Sequence, residues 1–393
     1  MRLFFLRAAL ILSLLSSVCE AQEHIPARLL ELIDGPDRKD ISNKIELEKP
    51  ALMFQQQYML RVTGTCPKKM IEPGEVRHLQ GLTKVQDADG HWLEGEDYDD
   101  FTLPPNLRGK NLYYSAAVYL RPGKYRVAVV MFEAERNKAD VYHRDIVIEP
   151  LKNDPFPAID AALPPVEFPE RIDRHWGFWR VGDHISPIPV PLAKHARLDV
   201  VLNITKRFRW DLLYRMDVQR MLESGSLLGR LRPADGCVRV SVIDALRLKV
   251  LLDRFPAEKL SWAKLQDSIE KINQDVIDVK VLANQQKVAA FTHDYLQQLA
   301  NDKQSCGAET SPVVPTVVVV SSDVVLPDGN RIEDLTPLER NLFVYLHVGY
   351  GSGWSDGMGQ ILSSGKPQKI SCTNPHDFRG AIAKIAAGMS GLP

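Results

Sequence analysis

The residue types that could do chemistry concentrate near the C-terminus. Gly349-Tyr-Gly-Ser-Gly353, followed by Trp354-Ser-Asp-Gly-Met-Gly359, is rich enough in glycine for main-chain amides to approach a phosphate. It lacks the Gly-Lys-Ser/Thr ending and the spacing of either nucleotide fingerprint, so a surface loop is expected instead. Ser352, Ser355, His347 and Asp356 are the residue types of a hydrolytic triad: hydroxyl to attack, imidazole to carry the proton, carboxylate to orient. None lies in a Gly-x-Ser-x-Gly elbow, and such common types co-occur without meaning, so no catalytic residue is assigned. His376-Asp377 precede a terminal helix and read as capping, with Asn374 or Asp377 accepting from first-turn amides. A second cluster is aromatic: His175, Trp176, Phe178 and Trp179. It is a candidate partner surface, with the alternative that the rings pin their segment onto a neighbouring domain.

Charge excludes one class of partner. The 393 residues carry 49 Lys and Arg against 50 Asp and Glu, with no basic stripe, so nucleic acid is not expected. The N-terminus reads as an export signal of bacterial type. Arg2 and Arg7 precede the apolar run Ala8–Leu15, and Cys19 and Ala21 occupy the small-residue positions of a cleavage site. Residues 1–21 are therefore expected to leave, with the mature chain starting near Gln22. The run is too short to span a membrane, which needs about 20 residues. The expected location is periplasmic or extracellular. A lipid anchor on Cys19 ranks second, because Val18 stands where such a signal wants Gly, Ala or Ser. Cys66, Cys237, Cys306 and Cys372 remain, and four cysteines allow three pairings.

The elements that must position these residues change character along the chain. Residues 22–45 read as a short helical lead-in, with Ile25, Leu29, Leu30 and Ile33 at helical spacing before Gly35-Pro36. Residues 46–150 read as an all-β domain, from the strand-like runs Tyr58–Thr63, Tyr113–Tyr119, Tyr125–Phe132 and Asp140–Ile148. Leu120-Arg-Pro-Gly-Lys-Tyr125 resembles the turn into a late strand of immunoglobulin-like sandwiches. Residues 151–194 are proline-rich and read as a linker. From 195 to 393 strands alternate with helices. Arg197–Thr205, Gly236–Asp244, Leu246–Phe255, Val317–Val320, Phe343–Val348 and Gln368–Cys372 are the strands. Trp210–Glu223, Leu265–Val276, a stripe around Phe291–Leu299, and Phe378–Met389 are the helices. Such alternation predicts an α/β class with a doubly wound, Rossmann-type sheet.

The order of these last elements resembles the von Willebrand factor A domain family, and more narrowly the related domain of acidobacterial secreted proteins. In that family a divalent metal is held by an Asp-x-Ser-x-Ser loop, a Thr from a second loop and an Asp from a third. The resemblance places the first loop at Asn203-Ile-Thr205-Lys206-Arg207 and the third at Asp323. Thr205 keeps a hydroxyl, but Asn203 removes a carboxylate and Arg207 brings a permanent cation. No second-loop Thr stands out, although Thr292 is near. The resemblance thus implies a degenerate metal site, with no Mg²⁺ or Mn²⁺ and no other cofactor expected. Arg207 or Lys206 pairing with Asp323 is the simplest use of the residues that remain. A metal-free protein-binding face is the other. Asn203-Ile-Thr205 is also a formal glycosylation sequon, at the end of an expected buried strand. The reading is of an exported, non-catalytic protein that binds an unidentified protein partner. A metal-dependent adhesion module with a rebuilt site and an unrecognised envelope hydrolase are the alternatives.

Overall fold

A computed structural model describes residues 25–67, 77–103, 111–171, 179–180, 188–190, 196–205, 212–233, 236–261, 264–265, 267–268, 285–302, 314–322, 342–349 and 356–390. After helix α1 (Ala27–Ile33) come β1 (Arg38–Lys39), β2 (Lys44–Leu47), β3 (Ala51–Leu52), β4 (Tyr58–Pro67), β5 (Arg77–Gln86), β6 (Asp97–Leu103), β7 (Asn111–Leu120), β8 (Gly123–Glu133) and β9 (Lys138–Ile148). A short helix α2 (Ala158–Ala162) and β10 (Val166–Glu167) follow. These strands form two antiparallel sheets, in the orders β1-β9-β8-β5-β6 and β10-β7-β4-β2, with β3 also on β4.

Alternation along the strands explains how the sheets stack. Val127, Val129 and Met131 of β8 turn inward, against Leu60 and Val62 of β4 and Tyr114, Ala116 and Val118 of β7. The intervening Ala128, Val130 and Phe132 turn outward, where Leu29, Leu32 and Ile33 of α1 cover them. Burial on both faces is why β8 is apolar at almost every position. Residues 22–45, read as a separate lead-in, thus supply a helix for one sheet face and strands to both sheets. The segment read as a linker likewise contributes β10, paired with β7 through Val166↔Leu120.

The remaining strands are β11 (Glu170–Arg171), β12 (Trp179–Arg180), β13 (Ile188–Val190), β14 (Ala196–Asn203), β15 (Leu231–Pro233), β16 (Cys237–Asp244), β17 (Lys249–Pro256), β18 (Val314–Ser321), β19 (Leu342–Val348) and β20 (Gln368–Cys372). The helices are α3 (Leu212–Gly229), α4 (Gln285–Asn301), α5 (Gly357–Leu362) and α6 (Pro375–Ser390). β11 pairs with β12 and β13 with β15 as two small ribbons. The rest form one mixed sheet in the order β17-β16-β14-β18-β19-β20, parallel except for the edge strand β17. Leu202, Val240, Val320 and Leu346 pack under α3 and α6 on one face. Val201, Ile243, Val319 and Tyr345 pack under α4 and α5 on the other. Continuous Val-rich runs suit such doubly covered strands. Two glycines permit the close packing. A Cβ on Gly225 would lie 2.6 Å from Leu202 Cδ1, and one on Gly236 would lie 1.9 Å from the carbonyl oxygen of Ala196.

The expected class, α/β with a doubly wound sheet at the C-terminus behind an all-β immunoglobulin-like sandwich, is corrected. Among the described residues 45% are strand and 30% helix, spread over several sheets, so the chain is mostly β. The expectation leaned on the strand–helix alternation of the last two hundred residues. It missed β5 and β6 and the two- to four-residue strands of the lead-in and linker, whose polar or very short runs carry no strong period. The expected Leu265–Val276 helix falls mostly outside the described residues.

Candidate functional site

The mixed sheet brings polar side chains together where β14, β16 and β18 reach their carboxyl ends. Register sets the geometry: Asn203 stands beside Ile243 on one side and Ser321 on the other. Asn203 Nδ2 donates to Ser321 Oγ at 3.0 Å, and that hydroxyl donates onward to the Ser322 carbonyl at 3.0 Å. Asn203 Oδ1 accepts from Thr205 Oγ1 at 3.0 Å and from the Ala245 amide at 3.2 Å. The chain turns after β16 because Asp244 caps a single 3₁₀ turn, Ala245–Arg247, accepting from the Arg247 amide. Asp244 Oδ2 receives the Arg247 guanidinium at 2.5 Å, and Thr205 Oγ1 lies 3.4 Å from Oδ1. Asp244 is fully buried. Burial raises its carboxyl, against the opposing pull of Arg247 and the Thr205 hydroxyl.

Among the described residues, Asn203 Oδ1 and both Asp244 oxygens already accept from an amide, a hydroxyl or a guanidinium, the Ser321 hydroxyl accepts from Asn203, and Arg247 supplies positive charge. Of the residues expected at a degenerate metal site, Asn203 and Thr205 meet here. Lys206, Arg207 and Asp323 lie outside the described residues. Thr292 sits within α4 and donates to the Val288 carbonyl at 2.9 Å, as a helical threonine does. Asp244 and Arg247 were not anticipated. Their signal in the sequence is an acid closing the apolar run Val238–Asp244, with an arginine three residues on. Asn203 is 1% exposed, which leaves its sequon no accessible acceptor.

The other candidates resolve into structural roles or fall outside the described residues. Asp356 caps α5, accepting from the Gly359 amide at 2.8 Å. It also takes the Tyr345 hydroxyl and Lys369 Nζ, each at 2.6 Å. His347 is nearly buried on β19, its ring 6.2 Å from that of Tyr345. Ser352 and Ser355 are not described. Asn374 Oδ1 accepts from the Asp377 amide at 3.0 Å and so caps α6. Trp176 and Phe178 lie outside the described residues, and Trp179 stands in β12, paired with Arg171 of β11. Cys237 is disulfide-bonded. Cys66 and Cys372 are buried thiols, and burial pushes that of Cys372 up to about 12.

Fold and cluster together define a mostly β chain in which a mixed sheet ends in a closed polar cap. No protein-family model and no curated protein matches it. Among solved structures it is similar to a beta-glucuronidase from glycoside hydrolase family 2 (16% identity, TM-score 0.19), over 28% of this chain and 11% of that one. A chicken interferon gamma receptor alpha chain matches at 12% identity and TM-score 0.17, over 28% of this chain and 50% of the receptor. A calcium-binding mutant of Bacteroides uniformis beta-glucuronidase 2 matches at 11% identity and TM-score 0.21, over 82% of this chain and 34% of its own length. None of the three is a von Willebrand factor A domain, and likenesses this weak assign neither fold nor activity.

Proposed function

We propose that the chain is an exported, non-catalytic binding or scaffold protein, acting through protein contacts and without a bound metal. The observation that carries this reading is the saturated cap formed by Asn203, Thr205, Asp244, Arg247 and Ser321. Among the described residues of that cap no carboxylate is open to a cation, and none is paired with a nucleophile and base. A rigid, satisfied strand end on a well-packed sheet suits a surface that presents loops rather than one that performs chemistry. The antiparallel sheets are compatible with an immunoglobulin-like module beside it. A disulfide at Cys237 fits an oxidising compartment, as the N-terminal signal does. Among the described residues no helix is long and apolar enough to cross a membrane.

Titration calorimetry with Mg²⁺ and with Mn²⁺ tests the metal-free reading. No heat of specific binding is expected. Micromolar binding abolished by Asp244→Ala or Asp323→Ala would instead establish a rebuilt adhesion site. Export is tested separately, by expressing the full chain in a bacterium and sequencing the accumulated product. A mature N-terminus near Gln22 in the periplasm or medium is expected. An uncleaved cytoplasmic product refutes export, and a diacylated Cys19 replaces release with anchoring.

A further inference from the structure

The sandwich meets the mixed-sheet unit through the turn Met53–Gln57, which joins β3 to β4. Phe54, Gln55, Gln56 and Gln57 are all buried. The Phe54 ring packs 5.8 Å from that of Phe378 in α6, and the Arg220 guanidinium of α3 lies over it at 5.6 Å. Gln56 Nε2 donates to the Pro375 carbonyl at 3.0 Å, and Gln57 Nε2 to that of Pro164 at 3.3 Å. Gln56 holds φ +69°, a left-handed backbone that a long side chain adopts only when its surroundings impose it. Against this turn stands Glu223 of α3, 1% exposed. Its carboxyl accepts from the Phe54 main chain across the interface and from Gln219 Nε2 at 2.9 Å. Its Oε2 has no hydrogen-bond partner, and neither do the Oε1 atoms of Gln56 and Gln57.

We propose that the Met53–Gln57 turn and Glu223 form a pH-sensitive latch: protonated Glu223 locks the sandwich onto the mixed-sheet unit, and ionised Glu223 releases the turn. The physical ground is the cost of a buried carboxylate with one oxygen unsatisfied, a cost the neutral acid largely escapes. Arg220 on the same helix is the cation that opposes it, and Arg220 is shared with Asp217 at 3.8 Å. From the sandwich, the Tyr119 hydroxyl of β7 faces Glu223, with Glu167 of β10 and Arg61 of β4 acting on that tyrosine. Arg379, Asp154 and Asp160 form a separate cluster, and their charges act on Tyr58. Burial, against Gln219 and Arg220, lifts the Glu223 carboxyl from 4.5 to about 7 in the docked state. An undocked Glu223 would titrate near its ordinary value. The docked state therefore holds the extra proton between those limits, and docking weakens as pH rises through them. The full span is about 300-fold in the docking equilibrium, tenfold per unit of pKa difference.

Hydrogen exchange on the full chain, corrected for the intrinsic rate at each pH, tests the latch. Protection of the Phe54–Gln57 amides, referenced to β8 core amides, is expected to fall by up to about 300-fold from about pH 4.5 to 8. Glu223→Gln is expected to abolish that slope and keep the turn protected throughout. A flat wild-type profile overturns the proposal, as does a Glu223→Gln protein with the wild-type slope. If that variant does not fold, the carboxyl carbon shift of Glu223 in the wild type decides: a midpoint below about 5 overturns the latch.

Discussion

Asp199→Ala is expected to remove about 3–5 kcal/mol of stability, a large share of what a folded domain has to lose. Asp199 lies in β14 with its side chain 2% exposed. It accepts from Arg197 Nε at 2.9 Å and from Arg239 Nε at 2.7 Å. Arg197, itself 1% exposed, also donates to the carbonyls of Leu299 and Asp302, each at 2.6 Å, and so closes the C-terminus of α4. Arg239 reaches Asp302 as well, at 2.7 Å. One carboxylate thus holds two guanidiniums, that of Arg197 buried and that of Arg239 partly exposed, and the guanidiniums hold β14, β16 and α4 in place. Without it both cations keep less compensation in a largely desolvated setting, and that penalty, rather than the lost attraction, sets the magnitude. Urea denaturation followed by far-ultraviolet circular dichroism measures it. A loss below about 1 kcal/mol would mean that water or a shifted helix replaces the carboxylate at little cost.

Arg379→Ala is the second large effect, placed between the units rather than within one. Arg379 of α6 is 1% exposed and binds Asp154, through Nε at 2.7 Å and a short Nη2 contact, and Asp160 at 2.9 Å. Removing it leaves two carboxylates together without their cation, at an expected cost of about 3–5 kcal/mol. The combined variant R379M/D154L/D160L should recover most of that, since apolar side chains of similar volume carry no desolvation debt. A triple variant no more stable than Arg379→Ala would show that the contacts, and not the stranded charges, set the loss. Acid response adds a second check. Burial raises the Asp154 carboxyl, but Arg379 and the Phe156 amide outweigh it and hold the group below its usual range. Its stabilising contribution is present above the unfolded value and lost as pH falls through the folded one. Burial wins at Asp160, with Arg379 opposing, so its carboxyl is raised. That contribution is complete below the unfolded value and lost as pH rises through the folded one. The two slopes oppose each other in the wild type. In Arg379→Ala the Asp154 component should vanish, leaving stability that only falls as pH rises across the carboxylate range.

Legibility followed the strength of each local period. β14, β16, β18 and β19 stand where their apolar runs predict, because strands covered on both faces need an apolar residue at nearly every position. α6 extends from Pro375, behind the Asn374 cap that its sequence signals. β5 and β6 were not legible. Arg77–Gln86 is half polar, and Asp97-Tyr-Asp-Asp100 reads as a turn. Only pairing with β8 makes β5 a strand, and the acidic run suits an edge strand that must not recruit another chain. The charged residues inside β14 carried a usable hint. Arg197 and Asp199 alternate on one face of an otherwise apolar strand, which requires buried partners, although nothing in the sequence says that Arg239 and the end of α4 supply them.

The closed cap at the strand ends shows the division most clearly. The sequence by itself determined that Asn203 and Thr205 follow a buried strand. Only the tertiary structure decided which groups those side chains meet. Parallel register sets Asn203 beside Ser321, and a 3₁₀ turn folds Arg247 back onto Asp244. Hydrophobic period is a local property, written in neighbouring residues. Which donor satisfies which acceptor across β14, β16 and β18 depends on strand order and register, and those are set when the whole sheet packs.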